Sequence, residues 1–367
     1  MRVPYFRPPA ELPRGLEAMS RAYRDGHATQ GPEVAALERA LAERLGLAPE
    51  HVVATSSCTD ALIVALSVLA PQRAVVPALT WNATANAPEV AGAESVLVDV
   101  DGHACVAPDA VERALAATHA PSAVVPVGLY GNAFDARVFD VAERARATVV
   151  VDAAQTLEHG HDPRAAATCF SFHAVKSLPL GQGGAIACSD PGLADEARRV
   201  AQHGLSFGPG ERSQVSRRGL RAFMTAPTAA MGTALLPFVD GWAARRREVG
   251  QAYAAAFEGL PQVPRAARDA WHMFVLLPDD RDALRAHCAG AGVDTAAYYP
   301  ALPEQPAWSG RGPDAPRAVG LGRRATTLPL HPTLSDAEVS RVIEVVLSWP
   351  GWHSARAERL ARPPAAA

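Results

Sequence analysis

Lysine is almost missing from this chain. Of its 35 basic residues one, Lys176, is a lysine and all others are arginine. Cysteine is sparse too: the five, Cys58, Cys105, Cys169, Cys188 and Cys288, are odd in number, scattered and never spaced as CxxC. That pattern supports neither a disulfide framework nor a zinc site, so reduced thiols and no metal are expected. The His159-Gly160-His161-Asp162 group is one short loop without further ligands and does not alter this. Long apolar runs are absent. None approaches the roughly 20 residues of a membrane helix, and the opening MRVPYFRPPAEL lacks a signal-peptide core, so no membrane association and a cytoplasmic location are expected. Nor is there an excess of one charge: the formal net charge of −3 gives no long-range attraction to nucleic acid or an anionic surface.

What is present is the balance of a soluble globular protein, 49% hydrophobic and 20% charged over 367 residues. That length exceeds one ordinary core and predicts a large domain over residues 1–240, a smaller one over 241–350, and a tail over 351–367 that is disordered at its end. Apolar strands at Arg73 to Pro77, Ser95 to Asp99, Ala123 to Pro126 and Thr148 to Val151 alternate with helical spacings at Pro108 to Ala117 and Ala136 to Arg146. Such alternation argues for an α/β fold with a mostly parallel sheet covered on both faces. Further helices are expected after Gly31-Pro32, from Leu193 to His203, from Gly241 to Glu258, from Asp282 to Ala289 and from Asp336 to Leu347. A strand is expected from His272 to Leu277.

Lys176 lies in FSFHAVKSLPLGQGGAI, between small, apolar and hydroxyl residues and a glycine-rich turn. Desolvation there favours the neutral, nucleophilic amine that an imine-forming lysine needs. Earlier, Thr148-Val-Val-Val-Asp152 is a β-branched run ending in a carboxylate. In an open α/β sheet ligands lie outside the carboxyl ends of strands, so Asp152 points into a site. Pyridoxal 5'-phosphate (PLP) needs both: an amine to hold its aldehyde and a carboxylate to keep its ring nitrogen protonated. Each alone has a plainer explanation, as a surface lysine and as a helix cap; their conjunction points to the cofactor.

A strand, the hydroxyl-rich Ser56-Ser57-Cys58-Thr59, then an apolar helix offer free N–H groups for a phosphate, although on this stretch alone Ser57 or Thr59 merely capping the helix is the favoured reading. Trp81 could stack on a planar cofactor or sit in the core. The Gly204 to Gly219 stretch, with Arg212, Arg217, Arg218 and nearby Arg221, reads as a flexible, solvated loop able to meet a phosphorylated ligand.

These residues resemble the DegT/DnrJ/EryC1/StrS family of PLP-dependent sugar aminotransferases, in the same order from Gly31-Pro32 to about Leu347. The SSGTDAL turn is matched by Ser56 to Leu62, a TFVATANA-like segment by Thr80 to Ala87, the D-x-A-Q/H element by Asp152 to Gln155, and FSFHxxKxLxxGxGG around Lys176. Trp271-His272, Tyr299-Pro300 and Leu328 to Pro332 match later elements. The resemblance implies PLP fold type I, with a smaller C-terminal α+β domain, and a homodimer whose sites are shared between subunits. It implies that Lys176 holds the cofactor and acts as acid and base, that Asp152 pairs with the ring nitrogen and Gln155 with the ring hydroxyl. It also implies that Cys58 and Thr59, beside Ser57, bind the phosphate with Ser171, and that Trp81 stacks on the ring. Tyr298, Tyr299 and His331 are offered as substrate contacts.

Three departures accompany the match. Cys58 replaces a glycine in the phosphate turn, where a side chain could weaken cofactor binding. Arg221 stands where the family carries an asparagine that reaches the neighbouring subunit's phosphate, a role arginine can fill. The stretch between Gln155 and Phe170 is shorter than usual. The implied reaction moves an amino group from L-glutamate or L-glutamine to a keto sugar or ketocyclitol of an antibiotic-type pathway. A related elimination, and a PLP-fold sensor or partner subunit without catalysis, are the alternatives; the intact Lys176 argues against the dehydrating branch, which has histidine there.

Overall fold

The computed structural model describes residues 1–206, 214–266, 269–311 and 315–352. Arg212 and the end of the expected tail lie outside the described residues. Among these, seven strands form the main sheet: β1 (Val52–Thr55), β2 (Arg73–Pro77), β3 (Glu94–Val98), β4 (Ser122–Val124), β5 (Thr148–Ala153), β6 (Ala167–Ser171) and β7 (Gly184–Cys188). Their order is β1-β7-β6-β5-β4-β2-β3. The sheet is parallel from β6 through β5, β4 and β2 to β3, while β7 runs antiparallel to both β1 and β6.

Alternation along each strand divides the apolar side chains between two faces. Ala74 and Val76 of β2, Val150 of β5 and Ile186 of β7 join one cluster, with Leu62 and Leu66 of the Cys58–Leu69 helix and Ala197 and Val200 of the Pro191–Ala201 helix. Val75, Val149, Val151 and Ala185 face the other way, onto the Pro32–Leu45, Arg137–Arg144 and Ala226–Leu235 helices. Both faces are covered, so the strands read as near-continuous apolar runs.

The reversed direction of β7 positions the site. Gly184, its first residue, pairs with Thr55 at the end of β1 and with Ser171 at the end of β6. One sheet edge therefore gathers the ends of β1, β5 and β6 and the start of β7. β6 itself was not expected as a strand; its ATCFS sequence is buried through the centre of the sheet and has no polar alternation to betray it. The arginine-rich stretch carries a two-residue pair, β8 (Leu205–Ser206) with β9 (Gln214–Val215).

After the Val239–Ala256 helix a third apolar cluster forms around β10 (Phe274–Leu276) and β11 (Thr326–Leu328), which pair antiparallel. The Arg281–Gly290 and Asp336–Leu347 helices pack there, the latter opened by a capping box of Ser335 and Glu338. Val3 belongs to the same cluster, bridged to Val293, so the first residues of the chain pack with its last third. No helix among the described residues is long and apolar enough to cross a membrane.

Candidate active site

A cavity of ≈ 360 Å³ opens at the sheet edge just described. Of the residues singled out in the sequence, Ser57, Cys58, Thr59, Trp81, Asp152, Gln155, Ser171, Lys176, Tyr298 and Tyr299 line it. Arg221 and His331 do not. Arg221 is exposed, its guanidinium 5.6 Å from the ring centre of Phe223. His331 is buried beside the cavity, one ring nitrogen 3.3 Å from the Pro4 carbonyl and the other 2.9 Å from Thr333 Oγ1. Burial pushes it down to about 4, so the ring is neutral near pH 7.

Lys176 sits in a loop folded on itself, the N–H of Phe172 donating to Gly183, that of Leu180 to Phe172 and that of Lys176 to His173. Its Nζ lies 3.5 Å from His272 Nε2. Burial lowers the amine from 10.5 to about 8, with Asp152 and Cys58 opposing. Burial also drives His272 well below its ordinary range, helped by Lys176, Arg246 and Arg265, so the imidazole is neutral and able to accept a hydrogen bond from the amine.

Asp152 is the penultimate residue of β5, its carboxylate buried. Thr84 Oγ1 donates to one oxygen at 2.8 Å and the Ala154 N–H to the other at 3.1 Å. Burial raises the carboxyl's pKa; these two donors and the Lys176 charge pull it back. Gln155 is fixed at both ends, its oxygen accepting from the Tyr130 N–H at 2.7 Å and its nitrogen donating to the Tyr299 hydroxyl at 3.1 Å. Tyr299 stacks on Tyr130, their rings 10° apart.

The turn after β1 resolves the choice between cap and anion site by dividing the work. Ser57 Oγ accepts from the Asp60 N–H at 3.0 Å, and the Ser57 carbonyl accepts from Ala61. The helix itself provides nothing for the N–H groups of Cys58 and Thr59. The strand approaches closely: a Cβ built on Gly184 would lie 2.5 Å from the Ser57 carbonyl carbon and 2.6 Å from Cys58 N. The Cys58 side chain turns away from this approach, its Sγ 3.5 Å from the Cys169 carbonyl. Trp81 is no core residue, being 59% exposed at the rim with its ring 5.8 Å from that of Tyr299.

This donor set fits PLP: two N–H groups at a helix start that have no acceptor among the described residues for the phosphate, a buried carboxylate for the ring nitrogen, an anchored amide for the ring hydroxyl and a low-pKa amine. Sequence reasoning gave no site role to His272, Thr84, Tyr130, Tyr5 or Phe6. His272 and Thr84 fall inside the Trp271-His272 and Thr80 to Ala87 motifs, and only their depth in the fold distinguishes them.

A model of the DegT/DnrJ/EryC1/StrS aminotransferase family matches residues 12–347. Among solved structures the chain is similar to a DegT/DnrJ/EryC1/StrS aminotransferase from Brucella abortus, at 30% identity and a TM-score of 0.84, covering 91% of this chain and 95% of that one. S. venezuelae DesV, in complex with a ketimine intermediate, is 29% identical with a TM-score of 0.86, covering 95% and 98%. Spr1654 of Streptococcus pneumoniae, provisionally assigned as a sugar aminotransferase and solved in a PMP form, is 25% identical with a TM-score of 0.87, covering 94% and 98%. The family match runs through both the sheet and the last third, and its motifs fall on the cavity walls: this chain is an aminotransferase of the DegT/DnrJ/EryC1/StrS family, built on fold type I.

Proposed function

We propose that this chain moves an amino group from L-glutamate or L-glutamine to the carbonyl carbon of a keto sugar or ketocyclitol, in biosynthesis of the antibiotic type. Its cofactor is pyridoxal 5'-phosphate, which when bound supplies an electron sink for the carbon that gives up a proton. The observation carrying the reading is the meeting in a single cavity of the one lysine, a buried carboxylate and two helix N–H groups with no acceptor among the described residues.

Cys58 and Thr59 bind the phosphate through backbone N–H groups, and the Ser171 hydroxyl adds a donor. Asp152 holds the ring nitrogen's proton; a cationic partner there offsets the burial that otherwise raises its pKa. Gln155 Nε2 spends one proton on Tyr299 and keeps the second for the ring hydroxyl. Trp81, at the rim beside Tyr299, would stack on the ring. Lys176 Nζ, at about 8, can both take and return a proton near neutral pH. Such general acid and base work contributes about 10²–10⁴-fold.

The division into a large domain over 1–240 and a smaller one over 241–350 belongs to the same proposal, as does a cytoplasmic homodimer with shared sites. Arg221, exposed and away from its own cavity, is then available to the partner's phosphate. The decisive experiment is the absorption spectrum of the purified protein with PLP, before and after each donor, with Lys176→Ala beside it. The visible band of lysine-held PLP should form only in the wild type, and one donor should discharge it to the amine form. A band that neither donor discharges overturns transamination from these donors; a wild type that forms no band overturns the cofactor roles.

A further inference from the structure

The first seven residues are anchored more firmly than an arm over the surface requires. The Val3 N–H donates to the Gly292 carbonyl at 2.8 Å, and Asp294 N–H donates back to Val3 at 3.0 Å, with the Val3 side chain fully buried. Tyr5 OH lies 2.9 Å from Thr327 Oγ1 on β11. His331 meets the Pro4 carbonyl and places its ring 6.4 Å from that of Phe6, edge on. Arg7 pairs with Glu338 at 2.7 Å and donates to the Thr333 carbonyl at 3.1 Å. Between these anchors Tyr5 and Phe6 face the cavity, beside Tyr298, Leu328 and Leu330. The Tyr5 and Tyr298 rings are 6.0 Å apart and inclined at 63°.

That wall is aromatic and aliphatic; among the described residues lining the cavity, Lys176 is the only lysine or arginine. An acyclic, charged amino donor gains little from it. A ring ketone does gain, because the C–H face of a saturated ring packs on aromatic faces and edges. We propose that Tyr5 and Phe6 are specificity-determining residues of the second half-reaction, contacting the uncharged C–H face of a ring-shaped acceptor. His331, which the sequence offered as a substrate contact, then acts as a positioning residue through Pro4 and Phe6.

This rests on the aminotransferase reading above, and the two can fail separately. The test reloads amine-form enzyme, full chain with cofactor, from 2-keto-myo-inositol and a panel of ketohexoses on one hand and from 2-oxoglutarate on the other. Tyr5→Ala and Phe6→Ala should raise KM for the ring ketone used by the wild type roughly 3- to 10-fold and leave 2-oxoglutarate within about 2-fold. Tyr5→Phe, which keeps the ring, should stay near wild type and guards against a mere folding defect. Equal losses on both ketone classes, or no loss on either, overturn the inference. A wild type that reloads from 2-oxoglutarate but from no ring ketone overturns the ring-acceptor assignment and this inference with it, while leaving the donor half-reaction standing.

Discussion

Replacing Gly184 by alanine puts a methyl carbon 2.5 Å from the Ser57 carbonyl carbon and 2.6 Å from the Cys58 nitrogen. Ordinary contact begins at 3.4 Å, so one backbone must retreat by about 0.9 Å. β7 is held on both sides, by β1 and β6, so the start of the Cys58–Leu69 helix is what yields. The Cys58 N–H would move with it, and a hydrogen bond to a charged group is worth about 1.5–3 kcal/mol. Losing one predicts a Kd for PLP raised by about 10- to 100-fold. Overpacking adds a stability loss of about 1–3 kcal/mol. Titrating apo protein with PLP by absorbance gives the first quantity, and the urea midpoint gives the second. Wild-type affinity together with a wild-type midpoint would refute the close-approach argument.

Other consequences can be measured on the same material. Because the Lys176 amine must be neutral to attack the cofactor aldehyde, PLP capture should accelerate with pH up to about 8 and then level off; a flat profile contradicts the lowered pKa. The same shift, from 10.5 to about 8, is a cost on the apo fold of the order of 3 kcal/mol. It is complete below pH about 8 and fades as pH rises towards 10.5, so apo Lys176→Met should be the more stable protein at pH 7, its lead shrinking in alkali. Arg246 is buried against Glu158 at 3.2 Å, which also accepts from Ser177 Oγ, next to the lysine. Glu158→Leu should cost about 3–5 kcal/mol, much of it recovered when Arg246→Leu is added; a double variant no better than the single would contradict the ion-pair account. Cys58→Gly should not tighten PLP, since the thiol already turns from the phosphate turn, and should cost about 1 kcal/mol of stability. Tighter binding in a PLP titration would restore the concern raised by the sequence.

Elements whose signals are local were legible. β2 and the Asp336–Leu347 helix fall where the chain itself places them, the one as a short β-branched run, the other behind a Ser-x-x-Glu cap. Helix ends drifted by two residues where propensity changes slowly, as in Pro191–Ala201 against the expected Leu193 to His203. The reversed direction of β7 carries no local mark, and neither does the burial of β6 on both faces. Most of the residues expected to hold the cofactor sit in short, dense motifs, and apart from Arg221 they meet in one cavity. The parts of Tyr5 and His272 were not legible: Tyr5 meets Tyr298 from the start of the chain, and His272 reaches Lys176 from 96 positions away. Such contacts are made by packing and have no spacing to read.

The solitary lysine has a practical consequence for anyone handling this protein. Apart from the chain's own α-amine, the polypeptide offers reagents a single primary amine, and it stands inside the cavity. Hydride reduction of the PLP-loaded enzyme should therefore mark one side chain and no other, giving one mass increment per competent chain. The fraction of chains so marked is a direct titre of working sites in any preparation, without background from surface amines.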